Sequence, residues 1–99
     1  MKARVSIPQE QIEAFCRRHY IQRLAFFGSV VRDDFQPESD VDVLVEFEPG
    51  HVPGLAFFRM QRELSDMLGR TVDLNTPEDL SRYYREEVLA EAEVVYDAT

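Results

Sequence analysis

Near its middle the chain reads Ser39-Asp40-Val41-Asp42-Val43-Leu44-Val45-Glu46-Phe47. Two sets of side chains alternate along it: Val41, Val43, Val45 and Phe47 in one, and Asp40, Asp42, Leu44 and Glu46 in the other. Successive side chains of a strand point to opposite faces, so this period of two predicts a half-buried β-strand. The more polar face carries Asp40 and Asp42 two residues apart.

Helical and extended patterns alternate on both sides of this strand. Upstream, we predict a helix over residues 6–20 with Ser6 as its N-cap, a strand over 23–27 ended by Gly28, and a short helix over 29–32. Downstream, we predict a helix over 55–68 stopped by Gly69, a strand over 70–74, a helix start at 76–79, a helix over 83–92 and an edge strand over 94–96. The fold class is therefore α+β, with a mixed sheet of about four strands and helices packed on it.

Length and composition exclude several classes of protein. Ninety-nine residues make about one small domain, which we place over residues 1–99. The net charge of −8 argues against a protein that coats nucleic acid, because phosphate backbones attract basic surfaces. The single cysteine, Cys16, excludes a disulfide framework and a cysteine-based zinc site. Without a long apolar run or a signal peptide, we expect a cytoplasmic protein that does not contact membranes.

The acidic residues are concentrated around the central strand. From Asp33 to Glu48 there are seven carboxylates and no Lys or Arg. Asp73, flanked by Val72 and Leu74, is predicted to project from the same sheet. Three carboxylates on one face would repel each other by roughly 3 kcal/mol per pair at about 5 Å, and a divalent cation offsets that repulsion. All-oxygen ligands favour Mg²⁺ or Mn²⁺. The alternative is an exposed edge strand with Asp73 in a turn.

The pair Gly28-Ser29 ends the strand that precedes this acidic stretch. A glycine followed by a hydroxyl residue offers backbone N–H groups to an anion and permits close approach. An anion-binding turn and a cation site thus lie on successive strands. A nucleoside triphosphate with Mg²⁺ is a ligand that would bind to both. The two features together predict nucleotide chemistry, which neither predicts alone.

Gly28-Ser29, ten intervening residues and Asp40-Val41-Asp42 resemble the signature of the DNA polymerase β-like nucleotidyltransferase superfamily. The surrounding sequence is similar to the minimal nucleotidyltransferases (MNT), small prokaryotic proteins paired with HEPN-domain toxins. The similar stretches are residues 26–32, 39–47, 68–74 and 94–96, in the family's order. The resemblance runs from about Arg23 to Tyr96, so it covers most of the chain.

The resemblance implies a role for each matching residue. Asp40 and Asp42 would hold two Mg²⁺ ions, with Mn²⁺ as a possible substitute, and Asp73 would be the third carboxylate. Gly28 and Ser29 would bind the triphosphate, and the neighbouring Arg32 would contact it. Members of the family usually have glycine after the arginine, where this chain has Asp33.

The resemblance also implies a partner protein. The chain would act as an antitoxin that transfers AMP from ATP, or a nucleotide from another triphosphate, to a hydroxyl of the HEPN toxin encoded by the adjacent gene, within a hetero-oligomer. The small size supports a partner, because little of the chain remains to recognise an acceptor. Two alternatives stay open: an antitoxin that only binds and occludes its toxin, and nucleotidyl transfer to a small molecule.

Overall fold

The computed structural model describes residues 8–32, 36, 38–83 and 85–98. Over these residues the chain forms, in order, α1 (Gln9–Arg18), β1 (Ile21–Phe27), a 3-10 helix (Gly28–Val31), β2 (Val41–Phe47), α2 (Ala56–Leu68), β3 (Val72–Asn75), a second 3-10 helix (Pro77–Asp79), α3 (Arg85–Glu91) and β4 (Glu93–Asp97). Helices and strands alternate as predicted.

The four strands form one mixed sheet in the order β3-β2-β1-β4. Antiparallel pairing joins β1 to β2 and to β4, whereas β2 and β3 are parallel. The α+β class with a mixed four-stranded sheet is therefore confirmed, and β4 lies at an edge as predicted. The end of β1, the beginning of β2 and the beginning of β3 meet at one end of the sheet.

The main core lies on the face that α1 and α2 cover. Ile12 and Phe15 of α1 and Met60 and Leu64 of α2 pack there against the inward residues of the strands. Cys16 is fully buried in the same core, and burial raises the pKa of its thiol to about 12. This cysteine therefore behaves as a small apolar residue.

The opposite face of the sheet is covered as well, near the end where the acidic residues lie. Leu44 is only 3% exposed and packs with Phe27, Leu80 and Val88 of α3. The alternation in β2 placed Leu44 among the outward residues, and this structure explains its apolar character. The polar face of β2 is thus partly buried.

Several element boundaries differ from the sequence-based predictions. The first helix ends at Arg18, because Tyr20 adopts a positive φ of 57° that no helix continues through. The predicted N-cap Ser6 lies outside the described residues. The signature at Thr76 does form a capping box with Asp79, yet only a short 3-10 helix follows it. Gly69 caps α2 at φ 68°, as predicted.

In the described part of the chain, no helix is both long and apolar enough to span a membrane.

Candidate active site

The pairing of β2 with β3 places two of the predicted carboxylates side by side. Asp42 is the register partner of Asp73 in this parallel pair. Neighbouring strands lie about 4.8 Å apart, so the two side chains leave the same face as immediate neighbours. Val72 and Leu74, on either side of Asp73, are buried in the main core, which directs Asp73 outward as predicted. Sequence-distant carboxylates thus share one site.

The environment of Asp42 disfavours its charged form. The pKa of Asp42 is raised to about 6 by burial first and then by the carboxylates of Asp73 and Asp40, while Arg32 opposes the rise. Two of the three causes that raise this pKa are like-charge repulsions. A cation placed among these carboxylates would remove the repulsion and restore the charged form.

Asp40 lies just before β2 and is exposed. Among the residues that the structure describes, no three His, Cys, Asp or Glu side chains form a group that could hold a metal ion. The donor chemistry of Asp40, Asp42 and Asp73 nevertheless fits hard divalent cations, since every donor is a carboxylate oxygen. Their role as metal ligands stays a prediction.

Gly28 is packed directly against the Asp42 carboxylate. Phe27 is the register partner of Asp42, so the chain turns away from β1 beside that carboxylate. A Cβ on Gly28 would lie 2.2 Å from Oδ2 of Asp42, and its φ of 75° disfavours any other residue. Both space and backbone conformation therefore require glycine here.

Ser29 and Arg32 lie in the 3-10 turn that follows. The backbone N–H of Arg32 donates to the carbonyl of Ser29 at 3.0 Å, which fixes the turn. The Arg32 side chain is half-exposed and close enough to Asp42 to lower its pKa. The structure thus brings the predicted phosphate-binding residues next to the predicted carboxylates. Asp33, the departure from the family pattern, lies outside the described residues.

Glu91 is a further residue at this site, and it was not among the residues predicted from the sequence. Its Oε1 accepts a hydrogen bond from the backbone N–H of Gly28 at 3.4 Å and lies 3.4 Å from Nη1 of Arg32. No motif marks this position. The signal that could have found it is the strand pairing, because β4 runs antiparallel to β1 and Glu91 lies just before β4.

A cavity of about 630 Å³ opens beside Asp40. Polar residues line it, among them Ser65 near the end of α2 and Arg70 in the loop before β3. Asp40 is the predicted site residue that lines this cavity, so the cavity offers space for a ligand or a second molecule beside Asp40.

Comparison with known proteins identifies the family. The model of the nucleotidyltransferase domain family matches residues 9–95. The protein adenylyltransferase MntA of Thermococcus cleftensis is 34% identical over 96 residues, an alignment that covers 88% of this chain and 93% of that protein. A solved minimal nucleotidyltransferase structure is 38% identical, with a TM-score of 0.71 and 85% of both chains covered.

A more distant structure shares the fold. A chain in the complex of a tri-AMPylated Shewanella oneidensis HEPN toxin with an MNT antitoxin superimposes with a TM-score of 0.64. The two chains are 20% identical over 90% of this chain and 69% of that one. The resemblance to the minimal nucleotidyltransferases is confirmed by these matches. The chain therefore belongs to the nucleotidyltransferase family, and it is a nucleotidyltransferase.

Proposed function

We propose that the chain is a protein adenylyltransferase that moves AMP from ATP to a hydroxyl of a HEPN-domain toxin and thereby acts as its antitoxin. The observation that carries this proposal is the juxtaposition of Gly28, Asp42 and Asp73 at one end of the sheet. A glycine turn packed against paired carboxylates suits a triphosphate that is bound together with a cation. The relatives named as protein adenylyltransferases support AMP as the transferred group and a protein as the acceptor.

The proposed metal ligands are the three aspartates. Asp40 and Asp42 would hold two Mg²⁺ ions, and Asp73 would share one of them. When bound, these ions would neutralise charge on the phosphate oxygens of the nucleotide and on the leaving pyrophosphate. The raised pKa of Asp42 supports this assignment, since neighbouring carboxylates contribute to it.

The remaining chemistry belongs to the side chains and backbone of the turn. The N–H of Gly28, the hydroxyl of Ser29 and the guanidinium of Arg32 would bind the triphosphate and orient its α-phosphorus. Asp73 would accept the proton from the acceptor hydroxyl as its oxygen attacks. The new bond joins that oxygen to the α-phosphorus, and the bond to the bridging oxygen of pyrophosphate breaks.

A HEPN-domain protein as acceptor agrees with the relatives and with the size of the chain. The structure of the Shewanella oneidensis complex holds an AMPylated HEPN toxin and an MNT antitoxin. Over the described residues the chain offers a four-stranded sheet and three helices, with an open cavity beside Asp40. A bound partner would complete that side of the site and contribute the acceptor.

Asp40→Asn tests whether catalysis, rather than binding alone, silences the toxin. The variant should still copurify with the HEPN-domain protein of the adjacent gene, yet it should no longer suppress the ribonuclease activity or toxicity of that protein. The control is Glu10→Gln, which removes a carboxylate from α1 on the other face of the sheet. That variant should suppress the toxin as the unmodified chain does.

Continued suppression by Asp40→Asn would contradict the proposal. It would show that the chain silences its partner by occlusion. Failure of the unmodified chain to bind the HEPN protein would exclude both a catalytic and an occluding antitoxin. Nucleotidyl transfer to a small molecule would then be the hypothesis to test.

A further inference from the structure

Glu91 occupies the position that the triphosphate requires under the proposed function. One oxygen of its carboxylate contacts both the N–H of Gly28 and the guanidinium of Arg32, each at 3.4 Å. A phosphate oxygen would use the same two donors. The carboxylate of Glu91 is therefore an anion of the chain itself that contacts the donors we assign to the nucleotide.

The fold fixes Glu91 at this place. In the pairing of β1 with β4, Phe26 is the partner of Glu93. Extending this antiparallel register by two residues brings Glu91 opposite Gly28. Val88, one helical turn before Glu91, packs with Phe27 and Leu44 and holds α3 on the sheet. The contact thus follows from the strand register and from the packing of α3.

Helix stability does not account for a carboxylate here. Glu91 is the last residue of α3, and the final turn of this helix carries no basic residue. A negative charge near the carboxyl end of a helix is unfavourable, because the exposed carbonyl groups are themselves negative. What favours the carboxylate is its contact with Gly28 and Arg32.

We propose that Glu91 sets the nucleotide affinity of this chain by competing with the triphosphate for Gly28 and Arg32. This inference rests on the proposed function, because it requires the nucleotide to bind at this turn. Binding then requires the carboxylate to leave both donors. If it stayed, it would repel a polyanion that already faces Asp42 and Asp73.

Nucleotide binding to the isolated chain tests the proposal without any partner. Isothermal titration calorimetry would measure the Kd of ATP and of inorganic tripolyphosphate, each with Mg²⁺, for the unmodified chain and for Glu91→Gln. Removing the competing charge should tighten binding of both ligands by about threefold to fivefold. Glu91→Ala should tighten binding in the same way, and a higher salt concentration should reduce this gain in affinity.

Glu87→Gln is the matched control. Glu87 lies one turn earlier on α3 and is exposed, so this variant removes the same charge from the same helix. Its Kd for both ligands should stay within about twofold of the unmodified chain. An equal gain in affinity in Glu87→Gln and Glu91→Gln would show that the effect depends only on net charge. That result would overturn the inference.

The remaining outcomes separate this inference from the proposed function. Unchanged or weaker binding by Glu91→Gln, with measurable binding by the unmodified chain, would overturn the inference alone. Glu91 would then position Arg32 or form an ordinary surface ion pair. No binding by any of these proteins would remove the proposed nucleotide site and the inference together.

Discussion

At the scale of single residues, Gly28 has the least room for a side chain among the glycines that the structure describes. We expect Gly28→Ala to lower the free energy of unfolding by about 2 kcal/mol or more and to abolish nucleotide binding. The new Cβ must displace the Asp42 carboxylate, from which it would lie 2.2 Å away, in a backbone conformation with φ 75°. Urea denaturation and calorimetric titration with ATP and Mg²⁺ measure the two effects.

Gly50→Ala is the control for this substitution. Gly50 also has a positive φ, of 82°, and nothing lies within 4 Å of the Cβ it would acquire. Its replacement should cost only the backbone strain, about 1 kcal/mol, and leave nucleotide binding intact. Equal losses of stability in the two variants would show that crowding at Asp42 contributes nothing.

The raised pKa of Asp42 makes stability depend on pH. Between the usual pKa of 3.8 and about 6, the folded protein keeps Asp42 protonated while the unfolded chain ionises it. The folded state therefore binds more protons, and this group makes stability fall as pH rises through that window. Asp42→Asn mimics the protonated form and should gain stability relative to the unmodified chain as pH rises from 4 to 7.

Urea denaturation at several pH values in EDTA would measure this difference. The gain in the free energy of unfolding of Asp42→Asn over the unmodified chain should be near zero at pH 4. It should level off above about pH 6. A difference between the two proteins that does not change with pH would show that Asp42 titrates normally in the folded chain.

At the scale of single elements, the alternation in the central stretch predicted β2 and the position of Asp42 within it, whereas Asp40 lies just before the strand. The parallel pairing that sets Asp42 beside Asp73 could not be derived from the alternation, because strand order depends on packing across the whole sheet. Glu91 could not be predicted either, because its position also depends on how the strands pair. Its contact with Gly28 arises from the β1–β4 register and not from any pattern near it in sequence.

The buried second face of the sheet yields a prediction about β2. Leu44→Ala should lower the free energy of unfolding by about 2–4 kcal/mol, because Leu44 is 3% exposed and packs with Phe27, Leu80 and Val88. Leu89→Ala on α3 is the comparison, since Leu89 is 45% exposed and should cost less than about 1 kcal/mol. Equal losses in the free energy of unfolding of Leu44→Ala and Leu89→Ala, measured by chemical denaturation, would mean that α3 does not cover Leu44.

At the scale of the whole molecule, the net charge of −8 disfavours nucleic acid as the acceptor. A phosphate backbone binds to basic surfaces, and this chain carries an excess of acidic residues. The family and its catalytic signature could be predicted from the sequence, because the Gly28-Ser29 and Asp40-Val41-Asp42 spacing is local. The acceptor was predicted only through the family resemblance, because no pattern in this sequence marks the residues that would recognise it.

The most direct test of adenylyl transfer is the intact mass of both chains after reaction. The chain would be purified with the HEPN-domain protein proposed as its partner and incubated with ATP and Mg²⁺, with Asp42→Asn as the inactive control. We predict that the HEPN protein gains the mass of one or more AMP groups, and that it gains none in the control. A HEPN protein that remains bound but unmodified, with ATP and with other triphosphates, would contradict the proposed adenylyl transfer.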